Sequence, residues 1–182
     1  MIYGVIDKDS CRGYTYLKAV FDAIDNKQIE YNWLVTNTEI IAHSDKLDAL
    51  NTSWNWLYEN SNPVAVTAPG YCFLSGEELT KIITDDDSQW IWGVLSGFKK
   101  CIPLDEILKY PLPKVDEYEG FWKNPPSIQH PLASVEIVPW DSCLVLVLSK
   151  NKAIVDSFRL TFSKSQDLSE YNIMHNSGLD EI

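Results

Sequence analysis

The sequence predicts a single α+β domain in which a mixed or mainly antiparallel sheet carries a C-terminal hairpin and helices on one face. Three observations predict it. The chain has 182 residues, enough for one domain with a sizeable core and barely enough for two. Apolar residues make up 45% and charged residues 23% of it, as in ordinary globular proteins. Apolar runs with a period of two are interspersed with runs of helical period, which indicates strands mixed with helices.

Residues 1–35 supply the first three elements. A short apolar run over 1–6 predicts a strand. Apolar side chains recur at helical spacing over 13–24, which predicts an amphipathic helix. Tyr31, Trp33 and Val35 alternate along residues 29–35, so we expect a second strand with these three side chains on one face.

The middle of the chain is marked by a helix start. Ser75 and Glu78 have the spacing of a capping box, which predicts a helix beginning there. Three aspartates follow at 85–87, and we expect them in a loop beyond the helix because acids oppose the dipole at a helix C-terminus. Residues 89–98 have the composition of a strand, and residues 104–110 predict one or two helical turns capped at Asp105.

The last third has the clearest pattern. Two apolar runs, 134–140 and 143–149, flank Asp141-Ser142, which predicts a hairpin whose second strand is central because it is apolar on both faces. A helix is expected over 153–162. Residues 111–133 contain five prolines and predict a long loop. The polar tail over 167–182 is expected to fray.

Charge is the most unusual feature of the composition. The formal net charge is −11. Residues 22–60 hold seven acids against two lysines, a balance of −5, and residues 76–90 hold five acids against one lysine, a balance of −4. Such a surface repels nucleic acid and anionic lipid and favours a basic protein partner. The alternative is that the acids only keep the chain soluble.

Localisation and cofactor signals are weak. The N-terminus MIYGVIDKDS has no basic segment followed by a long apolar core, so we expect no signal peptide and a cytoplasmic protein. The longest aliphatic run, residues 143–148, is too short to span a bilayer. The four cysteines form no Cys-x-x-Cys pair, and Cys101 and Cys143 are interpreted as core thiols. No nucleotide or metal motif is present, so no cofactor and no metal site is expected.

One candidate catalytic site is centred on His130, one of three histidines in the chain. His130 is close in sequence to Glu136 and Asp141, and a histidine with two carboxylates can act as a general base or bind a divalent metal. The alternative gives each residue a structural role: His130 in a proline-rich turn, Glu136 facing solvent and Asp141 at the hairpin bend.

Aromatic residues form a second candidate site. Trp90 and Trp92 are two apart on a predicted strand, so we expect both rings on one face. Together with Trp122 and the acids Asp85, Asp86 and Asp87, they are predicted to bind the partner, because exposed tryptophan is a frequent interface anchor. The alternative is that the rings fill the core. The wider tryptophan set contains Trp54, Trp56 and Trp140 as well.

Two phrases carry a resemblance to known proteins. FWKNPPSIQHPLA and EIVPWDS, within residues 120–150, resemble small uncharacterised proteins of Gram-positive bacteria. More broadly, the acidic, tryptophan-rich and motif-poor sequence is similar to the immunity proteins that neutralise polymorphic bacterial toxins. That resemblance implies a non-catalytic binding protein whose acidic face covers a basic toxin. A small enzyme, hydrolytic or metal-dependent, and a structural protein remain the alternatives.

Overall fold

A computed structural model describes residues 1–8, 15–52, 56–59, 62–65 and 70–176, with the backbone alone over 56–59 and 62–65. The described helices are α1 Leu17–Ala23, α2 Asp45–Asp48, α3 Gly76–Asp85, α4 Leu104–Ile107, α5 Lys152–Thr161 and α6 Leu168–Asn176. Two 3-10 turns are Lys27–Glu30 and Glu119–Trp122. The described strands are β1 Tyr3–Asp7, β2 Thr15–Tyr16, β3 Tyr31–Ile41, β4 Trp56–Glu59, β5 Asn62–Ala65, β6 Tyr71–Ser75, β7 Gln89–Lys99, β8 Val135–Trp140, β9 Leu144–Ser149 and β10 Gln166–Asp167.

One antiparallel sheet organises the described part of the chain. Its strands follow the order β10-β1-β9-β8-β7-β3-β6, and β2 pairs with the start of β7. Strands β4 and β5 form a separate hairpin. The predicted α+β class with an antiparallel sheet is therefore confirmed. The apolar strand β9 lies between β1 and β8, in the central position that its two apolar faces predict.

The C-terminal hairpin is present as predicted. Residues 141–143 connect β8 to β9, and Asp141 and Ser142 have φ values of 45° and 63°, the left-handed region that tight hairpin turns use. Aspartate and serine are short polar residues, and aspartate tolerates this left-handed region better than most side chains. The local sequence thus fixes the register of Trp140 opposite Leu144.

Four of the six described helices pack on one face of the sheet. Their apolar side chains meet Val35, Leu95 and Val147 of the sheet in one buried cluster. Tyr31 and Trp33 belong to that cluster too, as their alternation along β3 predicts. The helical contributors are Leu17, Val20 and Phe21 of α1, Leu47 of α2, Leu79 and Ile83 of α3, and Ile154, Val155 and Phe158 of α5.

The opposite face is covered by the proline-rich segment 111–133 together with α4 and α6. Val115 and Phe121 from the segment and Leu168 from α6 are buried against this face, and Ile107 from α4 is buried beside Phe98. The expectation that the helices share one face therefore holds for α1, α2, α3 and α5 only. The sheet is apolar on both faces, so each face needs a cover.

The predicted frayed tail is wrong over most of its described length. Residues Leu168–Asn176 form α6, and Leu168 is fully buried. The Asn172 side chain is buried and donates hydrogen bonds to the carbonyls of Phe121, at 2.9 Å, and Lys123, at 2.8 Å. A polar composition indicated fraying, whereas one buried amide and one leucine anchor this helix. Residues 177–182 lie outside the described residues.

We expect Asn172→Ala to destabilise the protein by about 1 to 3 kcal/mol, because two buried carbonyls lose their donor. Chemical denaturation measures the change. The matched control is His175→Ala on the exposed side of the same helix, which should change stability by less than about 0.5 kcal/mol. If both variants lowered the stability equally, the hydrogen bonds of Asn172 would add nothing to the stability beyond the formation of the helix itself.

Two helix boundaries differ from the prediction. The capping box of α3 is complete: Ser75 Oγ accepts from the Glu78 amide, and the Glu78 carboxylate accepts from the Ser75 amide. Asp85 is nevertheless the last residue of α3, with Asp86 at the C-cap, so only part of the aspartate run lies beyond the helix. Asp105 lies inside α4, which is preceded by Pro103 instead.

Candidate functional site

Glu136 is a carboxylate with no access to solvent. It lies on β8 between Ser96 of β7 and Leu148 of β9, and its exposed fraction is 0%. Its Oε1 accepts from Ser96 Oγ at 3.0 Å and from the His130 amide at 2.9 Å, and its Oε2 accepts from the Gln129 amide at 2.7 Å. Burial raises the pKa of Glu136 to about 7, although these three donors favour the charged form.

The His130 ring is also buried, with an exposed fraction of 1%. The Leu132 amide donates to His130 Nδ1 at 3.3 Å, so Nδ1 accepts and the proton lies on Nε2, which donates to the carbonyl of Ile107 at 3.2 Å. Phe98 and Tyr110 pack edge-on against the ring at centroid distances of 4.8 and 5.4 Å. Burial is the main reason that the pKa of His130 is lowered.

Asp141 lies apart from these two residues. It is exposed at the hairpin turn, five residues along β8 from Glu136, which is about 16 Å at the rise of an extended strand. The structure thus brings His130 and Glu136 together through the His130 amide and leaves Asp141 at the other end of the strand. Within the described ranges, no group of three His, Cys, Asp or Glu side chains could hold a metal ion.

Both buried residues hold the end of the proline-rich segment against the sheet. Glu136 binds the amides of two consecutive residues of the segment, and the His130 ring links it to α4. The expectation that Glu136 faces solvent is wrong, because strand alternation turns it toward the face that the segment covers. A carboxyl and an imidazole that are buried and hydrogen-bonded in this way offer no surface to a substrate.

Carboxylates gather at the end of the sheet where β7 begins. Asp87 accepts from the Lys18 amide at 3.4 Å, and Asp86 accepts from the His43 amide at 3.3 Å. These contacts bring the start of α1 and the approach to α2 against the aspartate run. The Ser142 amide donates to the carbonyl of Ile91 at 2.9 Å, which places the hairpin turn at the same end. We call this region the acidic pole; it comprises Asp22, Glu39, Asp45, Asp85, Asp86, Asp87 and Asp141.

The acids of this pole influence one another. The Asp87 side chain is exposed, and its pKa is raised first by desolvation from the groups packed around it and further by the negative charges of Asp22 and Asp86. Lys18 pairs with Asp22 at 2.8 Å, and Lys46 lies on α2. Lys18 and Lys46 lie among the seven acids of the pole, so the region carries an excess of five negative charges.

Three half-buried tryptophans lie beside the acidic pole. The Trp140 ring packs edge-on against Trp92 at 5.3 Å and against Trp122 at 4.9 Å between ring centroids. Trp92 is paired across the sheet with Glu39, and Trp140 directly precedes Asp141. We call these three rings the Trp triad. Its members are neither core residues nor fully exposed, which is typical of an interface anchor.

Trp90 does not belong to this surface. It is fully buried in the cluster under α1, α3 and α5, whereas Trp92 packs on the opposite face. The prediction that both rings share a face is wrong, because the register of β3 against β7 shifts around Glu39, and a bulge reverses which face the following side chains take. Trp54 and the side chain of Trp56 lie outside the described residues.

The two acidic stretches of the sequence do not map onto one surface. Glu77, on the first turn of α3, pairs with Lys100 at 2.5 Å, where β7 ends. Asp25 accepts from Ser157 at 2.6 Å. Asp141 belongs to neither stretch, yet the hairpin turn brings it to the acidic pole.

Three of the four cysteines, Cys72, Cys101 and Cys143, lie among the described residues and are free thiols. Cys101 and Cys143 are exposed, so their interpretation as core thiols is wrong. Cys72 is half-buried, and burial raises the pKa of its thiol, which lowers its nucleophilicity at neutral pH. Cys11 lies outside the described residues.

Two further findings bear on identity. Among the described residues, no helix has both the length and the apolar character needed to cross a bilayer. Comparison with protein-family models, with curated proteins and with solved structures finds no match to this chain.

Proposed function

We propose that this protein is a non-catalytic binding protein of the immunity type, whose acidic pole and Trp triad dock a basic partner protein. The proposal rests on one observation: carboxylates from five segments lie together beside the half-buried rings of the Trp triad. The segments are α1, β3, α2, the residues directly before β7, and the β8–β9 turn. Complementary charge speeds the association of two proteins and excludes like-charged partners. Large aromatic side chains then slow dissociation because they are buried at the centre of an interface.

The position of the pole supports docking of a macromolecule. Its acids come from five segments that meet at one end of the sheet, and the Trp triad supplies apolar contact area beside them. The excess of five negative charges suits a partner whose own site is rich in lysine and arginine, such as a nuclease. A toxin with that chemistry is the partner class that we propose.

The test starts with a partner recovered from the native host by affinity capture, identified, and purified for titration. We expect the double variant Asp85→Lys, Asp141→Asn to lower its affinity at low salt by about tenfold or more, mainly through slower association. Both changes should preserve the fold. Lysine at 85 favours the C-terminal end of the α3 dipole, and asparagine tolerates the positive φ of position 141.

The matched control is Asp105→Lys, which changes an exposed acid on α4 near the other end of β7. It should leave the affinity within about twofold, since the partner does not reach it. An acidic partner, or equal losses from the control and the double variant, would contradict the proposal. High salt should remove the difference between the double variant and the wild type.

A further inference from the structure

A cleft of about 340 Å³ opens at the end of the sheet opposite the acidic pole. Three lysines line it: Lys99 at the end of β7, Lys100 after it, and Lys150 after β9. Ser134, directly before β8, and Asn151, directly before α5, line it too. The cleft is thus formed by the ends of three neighbouring strands. Because β7 has 11 residues, about 33 Å separates its two ends.

The positive charge of this cleft stands out in a chain with a net charge of −11. Lys100 is paired with Glu77, and Lys150 Nζ donates to the carbonyl of Pro131 at 3.3 Å. The Lys99 ammonium makes no hydrogen bond or ion pair with any residue that the structure describes. Glu30 also lines the cleft, and Glu77 neutralises Lys100, so one positive charge remains in excess at the cleft.

Neutral donors lie between these lysines. The Ser134 carbonyl accepts from the Lys150 amide at 2.8 Å, whereas its hydroxyl makes no hydrogen bond within the described ranges and is open to a ligand. Helix α5 starts beside Asn151, which caps it by accepting from the Ala153 amide at 3.1 Å. The first turn of this ten-residue helix holds no acid, so no side chain of its own offsets the positive end of its dipole.

We propose that this cleft binds the phosphoryl group of a small molecule. Its donors are ammonium and hydroxyl groups beside a helix N-terminus, a set that suits oxyanions. The excess positive charge and the several donors favour a phosphoryl group over a carboxylate, because a phosphoryl group presents more acceptor oxygens. The volume is at the lower end of that of small-molecule sites, so the ligand is compact. This site is independent of the acidic pole, and either proposal can fail alone.

Inorganic phosphate is the first probe, titrated at constant ionic strength while the backbone amide resonances of the 15N-labelled protein are recorded. We expect saturable shifts at residues 99–100, 134 and 150–153. Lys99→Ala should weaken binding by about tenfold, the loss of one charge-assisted contact. Glu30→Gln should strengthen it about two- to threefold, because it removes the opposing charge.

The matched control for the lysine variant is Lys164→Ala, which removes an exposed lysine outside the cleft that pairs with none of the described residues. It should leave phosphate binding unchanged. Glycerol 3-phosphate is the second probe, and tighter binding than inorganic phosphate would identify a phosphorylated metabolite instead of free phosphate as the ligand. Shifts that do not saturate, equal losses from Lys99→Ala and Lys164→Ala, or acetate binding as tight as that of phosphate would each overturn the proposal.

Discussion

Glu136→Ala at pH 5 is expected to cost about 3 to 5 kcal/mol of folding free energy, because two buried amides lose their acceptor at about 1 to 3 kcal/mol each. The Gln129 and His130 amides would lose their acceptor in a place that water does not reach. A cavity would be left between β7 and the proline-rich segment, and the lost packing adds to the cost. Chemical denaturation monitored by tryptophan fluorescence measures the difference.

The pH dependence of Glu136 separates its charge from its packing. The carboxyl titrates near 4.5 when unfolded and at about 7 when folded. Between these values the unfolded chain releases the proton and the folded chain keeps it, so the stability contributed by Glu136 falls as pH rises. Over the whole window the decrease is about 3 kcal/mol, at about 1.4 kcal/mol for each pKa unit.

His130 changes the pH dependence of the folding stability in the opposite direction. Its pKa is lowered in the fold, so the unfolded chain takes up a proton first on acidification, and the stability contributed by His130 falls as pH decreases through about 6.5. The pH profile of wild-type stability is the sum of the contributions of Glu136 and His130. The difference in stability between wild type and Glu136→Gln isolates the carboxyl, and we expect it to shrink as pH rises from 4.5 to 7.

The exposed carboxylates do not interfere with this comparison. The pKa values of Glu77, Glu78 and Asp86 are lowered, mainly by hydrogen bonds, so these groups lose their contributions below the window. They are also unchanged in the variant. If the stability difference between wild type and Glu136→Gln stays constant from pH 4.5 to 7, Glu136 remains ionised in the folded protein. If Glu136→Ala is within about 1 kcal/mol of wild type, Glu136 has no structural role.

Gly76→Ala should destabilise the protein by about 3 kcal/mol, although alanine is the better helix former. Gly76 is the first residue of α3 and is buried against the 3-10 turn before β3. A Cβ there would lie 2.1 Å from the carbonyl oxygen of Gln28 and 2.7 Å from Cα of Ile29. Both are backbone atoms that cannot rotate away, so the helix or the turn must move.

Thr84→Ala is the control for this substitution because it lies on the exposed side of the same helix. Helix propensity favours alanine there by a few tenths of a kcal/mol, so this variant should be as stable as the wild type or slightly more stable. Thermal unfolding of both variants gives the comparison. If Gly76→Ala were stabilised like the control, the contact of α3 with the turn would not be as close as the structure has it.

Local patterns in the sequence account for most individual elements. The capping box of Ser75 and Glu78, the alternation of Tyr31, Trp33 and Val35, and the turn at Asp141-Ser142 each depend on neighbours within a few residues. Such interactions are readable without tertiary information, because propensities and periods act over one element. The antiparallel α+β class follows from them.

Long-range contacts decided the features that local sequence patterns do not encode. A shift between β3 and β7 places Trp90 in the core and Trp92 outside it. One buried amide, Asn172, turns a polar tail into a docked helix. Neither effect has a local signature, since the partner residues lie about 50 positions away in each case.

The amino-acid order alone determined the position of several strands, the hairpin turn and the start of α3, and that the chain is rich in acid. Only the folded arrangement decided how charge is distributed over the surface. Acids from five segments lie at one end of β7, and the lysines that follow β7 and β9 lie at the other end. Side-chain chemistry is encoded residue by residue, but electrostatic potential depends on distances between residues, and those distances are set by the pairing of strands far apart in the chain.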